Sequence, residues 1–156
     1  MGKGSLHRIR RAAVDEAEAV ARLFRTVRRA CLPYLPELHT PPEDLGFFRD
    51  HVFAESEVWV AAQDKVIDGF IAFRTGWLDH LYVRPEHQRR GVGKGLLAVA
   101  MKTPMPLRLW VFQRNTAAVS FYRARGFREI ERTDGGRNEE REPDMLMEWR
   151  PGRAAQ

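Results

Sequence analysis

Between Leu81 and Leu97 the chain reads LYVRPEHQRRGVGKGLL: a strand that meets a proline, a turn dense in arginine and glycine, and then an apolar helix. No other stretch restricts the fold as tightly. Pro85 stops the strand, and a helix begun on a glycine turn presents free N–H groups and the positive end of its dipole to whatever lies in front. Arg89, Arg90 and Lys94 add full charges to that partial one, so the turn is suited to a phosphorylated ligand. The helix carries Leu96, Leu97, Val99 and Ala100 and ends before Pro104 and Pro106; Leu107–Phe112, apolar except for Arg108, then reads as a buried central strand. The unit 77–112 is therefore strand–helix–strand, which implies one parallel pair with a right-handed crossover inside an otherwise mostly antiparallel sheet.

The remaining elements fit around that unit. Residues 6–13 alternate loosely as a first, edge-like strand, and Asp15 with Glu18 has capping-box spacing. Val20, Leu23, Phe24, Val27 and Cys31 then follow helical spacing, with Arg22, Arg25, Arg28 and Arg29 on the other side as a solvated face. Prolines 33, 36, 41 and 42 mark a loop, and a second helix is expected from Pro42 through Val52. Val58–Ala62, Val66–Thr75 and Trp77–Val83 read as strands, with a bulge at Gly69. Asn115 caps a helix through Tyr122 that Gly126 closes, and Phe127–Arg132 and Met145–Trp149 are the last strands. Residues 1–5 and 151–156 are expected to be frayed ends of a single domain spanning 1–156.

The distribution of charge decides more than its total. With 156 residues, 44% of them apolar, the chain has enough material for one core without staples. Its net charge of +5 invites a nucleic-acid reading, but residues 84–94 hold a local excess of positive charge while the loop 134–144, with Asp134, Glu139, Glu140, Glu142 and Asp144, is acidic. Two partners of opposite sign explain this split better than a polyanion does. The longest apolar run, Leu96–Met101, is far short of the roughly 20 residues of a membrane span. MGKGSLHRIRR has no apolar signal region and Cys31 is the single cysteine, so a cytoplasmic protein without membrane contact is expected.

GVGKG does not satisfy a Walker A loop, since Gln88 stands where its first glycine belongs and Gly95 replaces the magnesium-binding hydroxyl. The dinucleotide fingerprint fails on glycine spacing (91, 93, 95) and on the absent downstream acid. What fits is Gln88-Arg89-Arg90-Gly91-Val92-Gly93, the pattern Q/R-x-x-G-x-G/A, followed about 25 residues on by NTAAVSFYRARGF from Asn115 to Phe127. These two motifs, in this order with a buried strand between them, resemble the coenzyme A loop and second helix motif of the GNAT N-acetyltransferase superfamily. The element order agrees from residue 6 to residue 150. The implied fold is the mixed α/β acyl-CoA N-acyltransferase fold, a mostly antiparallel central sheet with one parallel β-α-β pair flanked by helices.

The resemblance implies roles residue by residue. Backbone groups of Leu81, Tyr82 and Val83 would pair with the pantetheine arm of acetyl-CoA. Gln88, Arg89, Arg90, Gly91, Val92, Gly93 and Lys94 would form the pyrophosphate turn, and Asn115 would reach the cofactor arm. Tyr122, two turns after Asn115 on the same helix face, would stand near the thioester sulfur and protonate the departing thiolate. Direct attack requires a neutral amine although an alkylammonium has a pKa near 10, so a base or water chain must take a proton. Where some relatives carry a glutamate this chain has Trp110, which leaves Asp79 as the nearest acid, with His80 beside it; Asp79 shares strand parity with Leu81 and Val83. A strand N–H near Leu81–Val83 would hold the oxyanion. The histidines have no metal-ligand spacing, and no metal is required. The expectation is an acetyl-CoA-dependent N-acetyltransferase acting on a primary amine of a small molecule or peptide, with the acidic loop available to attract a cation. A protein N-terminal or lysine acetyltransferase, a silent acyl-CoA-binding sensor and a basic RNA-associated protein are the alternatives, and a homodimer stays open.

Overall fold

Strand-forming residues alternate through the middle of the chain, and a tight turn at Asp64, which takes φ 55°, folds them back on one another. In the computed structural model, which describes residues 7–152, the strands are β1 (Arg8–Arg11), β2 (Glu57–Gln63), β3 (Val66–Arg74), β4 (Trp77–Val83), β5 (Leu107–Phe112), β6 (Arg128–Arg132) and β7 (Asp144–Trp149). They form a seven-stranded sheet in the order β1-β2-β3-β4-β5-β7-β6. Every neighbouring pair is antiparallel except β4–β5, so the mixed fold with its one parallel pair is present. Of the ends expected to fray, Pro151 and Gly152 form a turn; residues 1–5 and 153–156 lie outside the described residues, as does Leu6, the expected start of the first strand.

Each face of the sheet is covered by the helices whose apolar positions face it. On one face α1 (Ala17–Cys31) and α2 (Pro41–Phe47), continued by a π-helical segment Phe48–Val52 and a last turn α3 (Phe53–Glu55), pack Val20, Leu23, Val27 and Phe48 against Val60 and Phe70. On the other, α4 (Val92–Ala100) and α5 (Thr116–Ala124) bury Leu96, Leu97 and Val119 against Leu109, Phe127 and Met147. Each fully buried side chain of this size contributes about 1.5–3 kcal/mol of transfer free energy.

Four local readings are corrected. The cap of the first helix is not Asp15 with Glu18: a 3-10 turn, Val14–Glu16, precedes α1, and the Glu16 carboxylate accepts the Ala13 N–H at 2.9 Å while Arg10 clamps both its oxygens at 2.8 Å. Arg10 on β1 thus holds the Glu16 carboxylate where it can accept the Ala13 N–H. The bulge expected at Gly69 falls one residue earlier, where Ala61 pairs with Gly69 but Ala62 with Ile67, so that Asp68 is the extra residue. A second bulge lies in β4: Ala72 pairs with His80 and Phe73 with Leu78, leaving Asp79 unmatched. Asp79 therefore does not continue the alternation of Leu81 and Val83; Leu78 joins their face instead. Finally, Cys31 ends α1 exposed rather than in the core, with its sulfur 3.5 Å from the Gln88 side-chain nitrogen.

Candidate active site

β4 and β5 begin as neighbours and then part. Their register holds only Trp77 opposite Arg108, where the Arg108 N–H donates to the Gly76 carbonyl at 3.0 Å. On its other edge β4 is paired with β3 along its length. Because the Arg84 N–H donates to Asp68 at 2.8 Å, strand alternation turns the backbone groups of Tyr82 toward β3 and those of Leu81 and Val83 toward the gap. An extended chain inserted between β4 and β5 would find its hydrogen-bond partners at Leu81 and at the Val83 N–H, the Val83 carbonyl already accepting from Gln88. The Tyr82 ring lies on the α1 face, stacked on Phe70 at 5.7 Å between centroids. Of the three strand residues suggested by sequence, then, two face the gap and one does not.

The turn after β4 is shaped by its own hydrogen bonds. A 3-10 segment, Pro85–His87, leads to Gln88, whose side-chain amide donates to the Val83 carbonyl at 2.9 Å and so ties the turn to the strand. Arg89 and Gly91 both take positive φ, 62° and 84°, and Gly91 is the N-cap of α4 with no side chain accepting from the helix. The N–H groups of the first turn of α4 are therefore available to an anion. Arg89, Arg90 and Lys94 are exposed, and none has an ion-pair partner among the described residues. Unsatisfied donors, a dipole end and three unneutralised cations together fit a pyrophosphate.

α5 brings Asn115 and Tyr122 to the same side of the sheet as α4. The Asn115 carboxamide oxygen accepts the Ala118 N–H at 3.3 Å, so it acts as the N-cap. Tyr122 is buried beside Phe121 and Phe127; burial, with Tyr82 adding to it, pushes its phenol well above the ordinary value and keeps it a hydrogen-bond donor.

On the opposite side lies a cavity of about 690 Å³ between α1, the loop after it, α2 and the acidic loop. Its walls include Phe24, Leu32, Leu35 and Phe47, and its rim carries Glu139 and Glu140. Arg28 donates to Glu140 at 3.0 Å and lies over the Phe24 ring, Arg25 donates to Asp44 at 2.8 Å, and His39 pairs with Glu139 at 2.5 Å. Arg29 pairs with Glu37, and Arg22 with Glu18. The arginines read as a solvated face thus each hold an acid. The acidic loop divides: Glu139 and Glu140 border the cavity, whereas Glu142 is held by Arg114 at 2.8 and 2.9 Å and Asp144 binds Thr133 and Asn138, structuring the β6–β7 connection.

A smaller cavity adjoins the β4–β5 gap, lined by Trp77, Asp79 and Trp110 among others. Here Asp79 is gripped by Arg74 at 2.7 and 3.2 Å, which occupies both carboxylate oxygens. His80 lines both cavities, enclosed by the rings of Phe24, Phe47, Phe48 and Phe70. Its Nδ1 is sealed from solvent without a hydrogen-bond partner, and burial pushes the imidazole down to about 4, with Asp79 opposing and Arg28 reinforcing that shift. In the sequence His80 was only the neighbour of Asp79. Plain alternation places His80 with Tyr82 on the aromatic α1 face, while the bulge takes Asp79 out of that alternation.

One further cluster supports the turn. Asp68 accepts from His7 at 2.8 Å and pairs with Arg84 at 3.2 Å and His87 at 3.4 Å. The fold thus gathers His7, Asp68 and His87, which sequence spacing did not link, but the guanidinium of Arg84 already supplies the positive charge that a metal would bring.

Residues 54–129 match the family model described as an acetyltransferase (GNAT) domain. A peptidyl-lysine N-acetyltransferase of Escherichia coli, YiaC, is 32% identical over 102 residues, covering 65% of this chain and 68% of that one. The solution structure of apo YjaB from Escherichia coli superposes with a TM-score of 0.74 at 24% identity, over 92% of this chain and 97% of that one. The crystal structure of an N-acetyltransferase, PaiA, from Thermoplasma acidophilum in complex with coenzyme A gives 0.68 at 22% identity, over 92% and 98%.

Proposed function

Since this chain belongs to the GNAT acetyltransferase family and is an acetyl-CoA-dependent N-acetyltransferase, we propose that its acceptor is the side-chain amine of a lysine carried on a polypeptide. The observation that carries this is the construction of the large cavity: a lining in which Glu37, Glu43, Asp44, Glu139 and Glu140 outnumber Arg25, Arg28 and Arg29, with Glu139 and Glu140 at the rim, over a wall of Phe24, Leu32, Leu35 and Phe47. The rim attracts an ammonium group, while the apolar interior disfavours its charged form and lowers its pKa, so that the nitrogen reaches the donor with its lone pair free. A four-carbon stem ending in one amine matches this sequence of environments. The peptidyl-lysine activity in the name of the relative YiaC supports the same class.

On the donor side, Leu81 and Val83 would align the pantetheine arm, the first amides of α4 with Arg89, Arg90 and Lys94 would hold the pyrophosphate, and Tyr122 would donate a hydrogen bond to the sulfur. When bound, acetyl-CoA supplies an activated acetyl group whose C–S bond breaks as the new C–N bond forms. Gln88 acts through Val83, positioning the turn.

Thiol release from acetyl-CoA in the presence of an amine panel tests the acceptor class. A peptide with a blocked N-terminus and one lysine should be turned over with a kcat/KM at least about tenfold above a lysine-free peptide with a free N-terminus or a free polyamine. Preference for the free N-terminus or the polyamine would move the acceptor assignment.

A further inference from the structure

His80 stands where the two sides of the site meet. We propose that His80 is the proton acceptor of the transfer, with Nε2 taking the proton that the amine nitrogen loses as it becomes an amide. The proposal rests on the acetyl-transfer reading above and concerns a residue to which that reading gives no task.

The geometry carries it. His80 lines both the large cavity and the smaller one, whose walls include Trp77 and Asp79 of β4 and Trp110 of β5, so its ring lies between the acceptor cavity and the strands that flank the gap. Among the described residues neither ring nitrogen has a hydrogen-bond partner, yet only Nδ1 counts as sealed; Nε2 is therefore the nitrogen with surface open to the cavities. The imidazole sits in an aromatic enclosure, with the Phe48, Phe24 and Phe47 ring centroids 5.5, 5.7 and 6.1 Å from its own. Against the negative face of an aromatic ring an N–H is favoured over a lone pair. A proton on the sealed Nδ1 would meet those rings and leave the Nε2 lone pair turned to the cavity. Asp79, the carboxylate suggested by sequence, has both oxygens bound to Arg74.

The proton balance is consistent with a weak base. The charged groups that bear on the ring are Arg28 from α1, Asp79 on β4, Asp44 from α2 and Glu139 and Glu140 from the acidic loop, of which Asp44 is held by Arg25, Glu140 by Arg28 and Glu139 by His39. Their net influence leaves burial dominant, and the imidazole is neutral throughout the working range. An imidazole of low pKa would not deprotonate a free alkylammonium, and the proposal does not require it to. The amine enters neutral, having left its first proton to water at the rim. As its lone pair bonds to the carbonyl carbon, its two N–H groups become strongly acidic; Nε2 accepts one of these protons while the C–S bond breaks, and the other stays on the amide nitrogen. The thiolate then takes one proton from the imidazolium, directly or through water, so that the net change is amine plus thioester to amide plus thiol.

Two measurements on the full chain test it. Nitrogen-15 NMR of the histidine-labelled protein should show His80 neutral at pH 7 with the proton on Nδ1, and still neutral down to about pH 5. A proton on Nε2, or a charged ring at pH 7, overturns the assignment without reference to activity. In turnover with whichever amine the wild type accepts best, His80→Gln should lower kcat about 100-fold or more while the acetyl-CoA dissociation constant stays within about twofold. Added imidazole should restore part of the rate to His80→Gly, which lost packing alone would not permit. Wild-type-like kcat in His80→Gln overturns the proposal, and loss of rate in Asp79→Asn alone would move the base to Asp79. A wild type that binds acetyl-CoA but modifies no amine would instead overturn the transfer reading itself.

Discussion

The proposed donor and acceptor halves of this site are built from different materials. The donor half, β4 with its gap to β5, the turn and α4, is made of backbone: strand groups of Leu81 and Val83 turned to the gap, first-turn amides, and positive φ at Arg89 and Gly91. Arg89, Arg90 and Lys94 have no ion-pair partner among the described residues. The acceptor half is made of side chains whose charges are already matched, Arg25 to Asp44, Arg28 to Glu140 and His39 to Glu139. A site for a constant ligand with fixed phosphates can expose raw charge and fixed dipoles. A site for a variable cation works better when its own charges are tied down, so that only the rim potential and the apolar wall select what enters.

Changes confined to one half should leave the other's binding constant alone. The largest effect is expected from the double variant Arg89→Glu, Arg90→Glu, which should weaken acetyl-CoA binding about 100-fold or more by calorimetry, with the acceptor KM at saturating donor nearly unchanged. Equal losses on both sides would break the separation. Next, Asp68→Asn removes the carboxylate that joins His7, Arg84 and His87 beneath the turn, and should lower stability by about 2–3 kcal/mol in denaturant melts. If the turn depends on that clamp, acetyl-CoA affinity falls as well; unchanged affinity would show that Gln88 suffices to hold it.

Arg28→Ala detaches the acidic loop from α1 and uncovers Phe24, and is expected to change the acceptor KM about tenfold while leaving acetyl-CoA binding intact. The smallest effect concerns pH. The Glu139 hydrogen bond, the largest cause, raises the His39 pKa above its usual value. The stability from this pair is therefore fully present below the unfolded pKa of about 6.5 and is lost as pH rises through the folded value. Melting temperatures of wild type and His39→Gln should converge as pH rises from about 6 to 9, and parallel curves would deny the pair a role.

The same division explains what could be read from the chain alone. The turn and α5 were legible because glycine, asparagine and arginine at fixed local spacing express backbone geometry directly; Gly91 and Asn115 sit at the helix starts that their types demand. The acceptor half was not legible, because Arg28 and Glu140 are 112 residues apart and meet only through the tertiary fold. Asp79 was misplaced by a single event, the bulge that reverses the alternation strand periodicity assumes, whereas His80, with the parity of Tyr82, was passed over because its aromatic enclosure comes from α1 and α2. Gln88 was placed correctly in the turn, but its role is tying the strand carbonyl, a contact to a neighbour five residues away that no motif distinguishes from ligand binding.

The central claim is that one lysine amine receives the acetyl group in exchange for one thiol. The direct test is mass spectrometry of a single-lysine peptide with a blocked N-terminus, incubated with the protein and acetyl-CoA while released thiol is titrated in parallel. The account predicts one acetyl group on the lysine side chain for each thiol released. Acetyl-CoA bound by the protein with the peptide unmodified, or thiol released with no acetylated peptide, would contradict it.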